Sequence, residues 1–455
     1  MSIQAASVGG SDSSQRGRSR WRNWAGNQRA YPTRVHRPRS EAEIAGIVRE
    51  AALRGERVKA IGSGHSFTGI AVAEGHLIDL SRYRRVLDVD RQSGLVTVQA
   101  GIKLSELSWR LFDEGLSMED MGDVAYQTIA GALATGTHGT GARYGCIATQ
   151  VRGLRLVDGE GNAIECSPTS HAEIFRSARV GLGALGIVSA VTLQCEPAFN
   201  LHALEQPMPI DEVLRDLDTH IEANEHFEFF WQPGAAYAFT KRNNRTPREA
   251  EPLGRWRRFR DDRIIGDWAA NGLVQLGRRF PSASRRLRRR LPPTGREDYV
   301  DRSYRVFTSE RRVKFHEMEY FIPREAAREV FERYRSFLAR TGLEVSMAIE
   351  MRFTAADDIP LSMAYGRETC SFAVHLRTHE RYQQYFEGVE AIMSDLDGRP
   401  HWGKLHFQTH ETLRARYPRW DEFQAVRREL DPNGRFANDY LDRVLGSIEP
   451  TPPST

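Results

Sequence analysis

Hydrophobic and polar positions divide the chain into two halves with different rhythms. Ile44, Ile47 and Val48 recur at helical spacing behind Ser40, and Ser40 with Glu43 predicts a capping box. Gly55 stops that helix, "RVKAI" predicts a short strand, and "GSGHSFTG" (62–69) is a glycine loop. "VLDVD" and "LVTVQAG" alternate about Gly94, and "VRGLRLVDGEGNAIEC" turns at Gly159 and Gly161, so two hairpins are expected. Between them lies a second glycine-rich run, "QTIAGALATGTHGTGARYG", and "GLGALGIVSAVTLQCEP" closes the half with a strand. Residues from about 30 to 197 therefore read as one α+β unit with two glycine loops.

Beyond about residue 200 the pattern changes. "HFEFFWQP", "VKFHEMEYFIP", "EVSMAIEMRF" and "TCSFAVHLR" read as strands, alternating with helices such as "REAAREVFERYRSFLART". A second domain built on an antiparallel sheet is expected. "GRPHWGKLH" and a further segment to about 447 follow.

Composition changes this picture little. The chain has 455 residues, enough for two or three domains, with 40% hydrophobic and 27% charged residues. No run of about 18 apolar residues exists, so no transmembrane helix is expected. Residues 1–20 have no apolar h-region and read as a disordered leader, and 448–455 as a disordered tail. Of 64 basic residues only five are lysines: Lys59, Lys103, Lys241, Lys314 and Lys404. Four scattered cysteines without C-x-x-C argue against a zinc ribbon or a disulfide framework and fit a reducing cytoplasm.

Several motifs are weaker than they look. "GLGALG" matches G-x-G-x-x-G, but "IVSAVTLQ" after it is strand-like, whereas a Rossmann pyrophosphate site needs a helix there. "GHSFT" carries Thr68 where the hydrolase elbow needs glycine, which argues against a Ser66 nucleophile. No P-loop is present. His406 and His410 stand four apart; a polar helix face is the simpler reading, and Lys404 would oppose a divalent metal. The arginines between Arg255 and Arg296 lack a nucleic-acid fold signature and read as a solvated face, with weak amphipathic membrane contact through "IIGDWAANGLVQLGRRF" as the alternative.

The glycine loops carry the functional signal. Each alone reads equally as a tight turn or as an anion nest. Two nests in one domain suit a pyrophosphate, and a dinucleotide without a Rossmann motif points to a different flavin-binding fold. "AIGSGHSFTGIA", "VTVQAGIKLSELSWRL", "TIAGALATGTHGTGARYG", "GALGIVSAVTL", "IEMRF" and "HWGKLH" together resemble the aldonolactone oxidoreductases of the vanillyl-alcohol-oxidase flavoproteins, which have a PCMH-type FAD-binding domain. The resemblance runs in order from about Trp21 to Leu445, and is nearest to the actinobacterial dehydrogenase type.

That resemblance implies a two-domain α+β fold. Residues 21–200 with a returning segment 400–447 would bind FAD, and 201–399 would form a substrate cap. It implies a single covalent link from His65 to the flavin 8α-methyl carbon, since the second loop has no cysteine. Gly62, Ser63, Gly64, Ser66, Gly122, Thr128, Gly131, Thr135, Gly136, His138, Gly139, Ile187 and His401 would line the cofactor. Gly122 aligns with a position governing oxygen access, where glycine leaves room; the simpler reading is a turn glycine. Glu350 and Arg352 share one strand face, which on composition alone is a solvated pair. The resemblance places them over the flavin with Lys404. Arg352 and Lys404 would then stabilise developing negative charge while hydride passes to flavin N5, and Glu350 would orient the hydroxyl or take its proton. His375 is a weaker candidate. The implied reaction oxidises a sugar-1,4-lactone at its C2 hydroxyl to an ascorbate-type product, with O₂ or a cytochrome or quinone as acceptor. No metal and no nucleic acid enter. The rivals are an alditol oxidase, a tailoring oxidase for a larger glycoside, and a non-catalytic flavin or nucleotide module. The implied location is cytoplasmic or peripheral to a membrane.

Overall fold

The computed structural model describes residues 20–252, 295–309 and 313–448. The expected leader, almost all of the arginine-rich stretch and nearly the whole expected tail lie outside the described residues.

Ser40 caps the helix Glu41–Leu53, its hydroxyl accepting from the Glu43 N–H at 3.2 Å. The capping box does not close: the Glu43 carboxylate accepts instead from the Arg39 N–H at 2.9 Å. Ile44 and Val48 of this helix meet Val58, Ile78 and Val157 in one core. Strands Arg34–His36, His76–Asp79 and Val58–Ile61 form a parallel sheet with His76–Asp79 central. Short apolar runs carry no signal of strand direction, so this sheet was not foreseen.

Both expected hairpins form. Val86–Asp90 pairs with Leu95–Gln99, and Val151–Val157 with Ala163–Cys166. Ile187–Gln194 lies between the hairpins and joins them into a five-stranded antiparallel sheet. "GLGALG" thus runs into a strand, which removes the Rossmann reading.

The second half is an eight-stranded antiparallel sheet in the order Glu297–Arg302, Asn200–Pro209, Tyr237–Thr246, His226–Trp231, Ile349–Thr354, Thr369–Arg377, Phe315–Pro323, Arg399–Pro400. One face packs against helices Ala327–Thr341 and Gln383–Asp395. There Phe229, Met318, Met351, Phe353 and Phe372 meet Phe331, Tyr334 and Phe386. Alternation sends Glu228, Glu317, Glu319, Glu350, Arg352 and His375 to the opposite face, and all six are buried there. Unpaired, such groups cost several kcal/mol each. A sheet face built this way therefore marks the site.

The chain after Pro400 returns to the first half. Trp402, Leu413, Tyr417, Phe423 and Leu441 share a core with Val96, Leu107, Leu133, Leu154 and Val191. His406 and His410 do not share a helix face. The helix starts only at His410, while His406 is buried with Nε2 3.0 Å from the Tyr440 hydroxyl.

Candidate active site

The two glycine loops touch at Gly62. A Cβ there would lie 2.1 Å from Thr128 Oγ1, so only glycine allows this approach. Thr128 in turn caps the short helix Ile129–Ala134, its hydroxyl accepting from the Gly131 N–H at 3.3 Å. Among the described residues, the N–H groups of Ser63, Gly64, His65 and Ser66 find no acceptor, and Ser63 Oγ is buried without a partner. Four consecutive free donors and a hydroxyl suit an anionic group.

These loops and the polar sheet face enclose a cavity of about 760 Å³, lined by His65, Gly122, Thr128, Thr135, His138, His375, His401 and, apart from Glu228, both charged clusters described below. A narrower space of about 100 Å³ shares Gly62, Ser63, His65, Ser66, Thr128 and Thr135 with it and reaches Gly64, Gly131, Ile187 and Lys59. The structure thus brings together most of the expected cofactor residues. Gly136 and Gly139 line neither space. Gly136 packs on Met363, and a Cβ at Gly139 would strike both Asp120 carboxylate oxygens at 2.4 Å, so each serves the loop's own packing. Gly122 does line the larger cavity, but a Cβ there would press on Thr137 Cγ2 at 2.9 Å and the His138 carbonyl at 3.0 Å. Packing alone accounts for that glycine.

His65 stands between aromatic rings, stacked with Trp24 at 5.7 Å and Tyr126 at 6.4 Å between centroids. Burial, helped by Lys103 and Lys404, pushes its pKa down to about 4, so the imidazole is neutral at pH 7.

Two charged clusters cover the sheet face. In the first, Arg352 pairs with Glu350, with Glu228 at 2.6 Å and with Asp123 at 4.0 Å. Burial pushes Glu228 up, but Arg352 and Lys241 outweigh it and hold the carboxyl below its ordinary value. These carboxylates hold Arg352 well above its usual range despite burial. In the second cluster, Lys404 Nζ lies 2.5 Å from Glu317 Oε2 and 3.9 Å from Glu319 Oε2. Burial again raises the Glu317 carboxyl, and Lys404 and His375 overcome that to bring it down to about 2.

Lys404 reaches the cavity because the main chain around it is pinned on both sides. The Phe67 N–H donates to the Gly403 carbonyl at 2.7 Å, while Leu405 N–H donates to the Glu317 carbonyl at 2.9 Å. Trp402 anchors the segment from below, with Nε1 donating to the Leu361 carbonyl at 2.7 Å.

Sequence reasoning missed Asp123, Glu228, Glu317 and Glu319. For three of them a signal existed: carboxylates alternating with large apolar residues in the strands "HFEFFW" and "FHEMEYF". Asp123 carried none. His375 lines the cavity, with Nε2 3.4 Å from Glu317.

The D-arabinono-1,4-lactone oxidase family model matches residues 191–444, and an FAD binding domain model matches residues 32–167. The chain belongs to the D-arabinono-1,4-lactone oxidase family. It is an FAD-dependent oxidoreductase of that family. An L-gulono-1,4-lactone dehydrogenase of Mycobacterium tuberculosis is 46% identical over 94% of this chain and 99% of its own length. An L-gulonolactone oxidase of Bos taurus is 34% identical over 94% of this chain and 98% of its own. A solved structure titled solvent-stable cholesterol oxidase superposes with a TM-score of 0.77 at 18% identity, covering 94% of this chain and 98% of that one. At that identity it speaks for the fold alone. The family's cofactor fits the residues present: the free loop donors and the orphaned Ser63 hydroxyl suit a pyrophosphate, and the larger cavity has room for an isoalloxazine beside His65.

Proposed function

We propose that the protein oxidises a sugar-1,4-lactone of the L-gulono- or D-arabinono- type at its C2 hydroxyl, giving a 2-keto lactone that enolises to an ascorbate-type product. Bound FAD supplies the two-electron oxidant for the carbinol C–H. The observation that carries the reading is the convergence of Glu350, Arg352 and Lys404 on one cavity that also holds His65. Arg352 and Lys404 set two cations where negative charge develops on the substrate oxygen. Glu350 orients the hydroxyl or takes its proton, and its ion pair with Arg352 fixes the carboxylate on a rigid strand. His65, neutral in its aromatic slot, is the covalent anchor of the flavin.

In this reading, residues 21–200 and 400–447 bind the cofactor and 201–399 form the substrate cap. The shared core of Trp402, Leu413 and Leu441 with the first half supports that division. No helix of the described residues is long and apolar enough to cross a membrane. The acceptor is O₂ or a cytochrome or quinone, and reoxidation in air distinguishes them.

The test is turnover of the holoenzyme on L-gulono-1,4-lactone against xylitol. Higher kcat/KM on the lactone is expected. Preference for xylitol would replace the reading with an alditol oxidase.

A further inference from the structure

Lys404 lies on irregular chain, and a lysine ammonium on its four-carbon stem has no fixed position of its own. Here four side chains form one continuous line with it. Glu317 and Glu319 lie two apart on the strand Phe315–Pro323 and bracket Nζ at 2.5 and 3.9 Å. Their outer oxygens meet histidines: Glu317 Oε1 lies 3.4 Å from His375 Nε2, and Glu319 Oε1 lies 3.1 Å from His138 Nε2. Each histidine is fixed at its other nitrogen, His375 Nδ1 donating to the Ala348 carbonyl at 2.9 Å and His138 Nδ1 to the Gly139 carbonyl at 2.8 Å. The main-chain carbonyls of the same two residues accept from the Leu405 and His401 N–H groups at 2.9 and 3.0 Å, which ties their strand to the segment that carries Lys404. All five side chains line the large cavity.

We propose that Glu317 and Glu319 are positioning residues that set Lys404 Nζ at one point of the cavity, with His375 and His138 bracing them from the sheet and from the second glycine loop. This rests on the lactone-oxidising reading above. Its physical basis is that a rigid carboxylate pair removes the freedom of the lysine stem, and misplacement by about 1 Å costs on the order of 10²-fold in rate.

The experiment is a double-mutant cycle on the holoenzyme with Glu317→Gln and Lys404→Met. Glutamine keeps the shape and removes the charge. In the wild-type background, E317Q should slow anaerobic flavin reduction by L-gulono-1,4-lactone by about tenfold to a hundredfold. In the K404M background it should cost nothing further. Thermal unfolding of the same proteins gives a readout besides activity. E317Q should lower Tm when Lys404 is present. It should lower Tm less in K404M, where the Glu317–Lys404 pair is already gone and only the His375 contact remains to be lost. A general folding role would lower Tm equally in both backgrounds. Equal rate losses, or equal Tm shifts, in both backgrounds would overturn the proposal. Glu319→Gln run through the same cycle keeps the test open should E317Q fail to fold. A wild type whose flavin no lactone reduces would sink the lactone reading instead, and the Tm cycle would still decide whether the carboxylates act on Lys404.

Discussion

Replacing Arg352 by methionine keeps most of the side-chain volume and removes the charge. Three carboxylates then lose their shared cation: Glu350, Glu228 at 2.6 Å and Asp123 at 4.0 Å. Their side chains expose 5%, 9% and 7%, too little for water to replace the guanidinium. Breaking a buried pair costs about 3–5 kcal/mol, and Lys241, 3.4 Å from Glu228, offsets part of that. With an unfolding entropy of roughly 2.1 cal/mol/K per residue, a chain of this length unfolding as a unit loses about 3–5 °C in Tm. The pH dependence is the sharper part. In the wild type Glu228 sits below its unfolded value, so its contribution is complete above that value and is lost as pH falls through the lower folded one. In R352M the main opposing influence is gone, and burial raises the carboxyl above its unfolded value. The penalty is then present at high pH and relieved on acidification. Scanning calorimetry from pH 8 towards pH 5 should show the wild-type-minus-R352M gap narrowing. A gap that is constant, or that widens in acid, would refute this account of the cluster.

His65→Ala should release its flavin to the supernatant on acid precipitation, whereas wild type keeps the colour in the pellet; colour retained in the mutant pellet removes His65 as the anchor. Gly62→Ala should purify with a reduced flavin-to-protein ratio, because the new Cβ falls 2.1 Å from Thr128 Oγ1; adding Thr128→Ala should recover part of it, and no recovery would place the damage elsewhere. Ser40→Ala should cost about 1 kcal/mol in urea unfolding, and Glu43→Ala clearly less, since the Glu43 carboxylate does not return to the Ser40 N–H; equal costs would mean a closed box in solution.

The sequence was most legible where a local rule acts alone. The Ser40 cap, the Gly94 and Gly159 hairpins and the strand after "GLGALG" follow from turn chemistry and period-two alternation. Alternation also put Glu350 and Arg352 on one face. Whether that face met water or a cavity depends on what packs over it, which no local pattern states. Lys404 and His65 entered through family resemblance, and their meeting in one cavity is a product of tertiary contacts such as Phe67 to Gly403. The His406–His410 spacing misled because a four-residue interval matters only inside a helix, and the helix begins at His410. The carboxylates at 228, 317 and 319 were visible as charges in apolar strands. Reading them as site residues needed the pairing register that sets Glu319 and Glu350 on either side of Ala373.

Lactone oxidation at this site is read from the yellow band of the purified holoenzyme on anaerobic addition of L-gulono-1,4-lactone. Rapid, stoichiometric bleaching is expected. A flavin that stays oxidised with this lactone and with D-arabinono-1,4-lactone would contradict it.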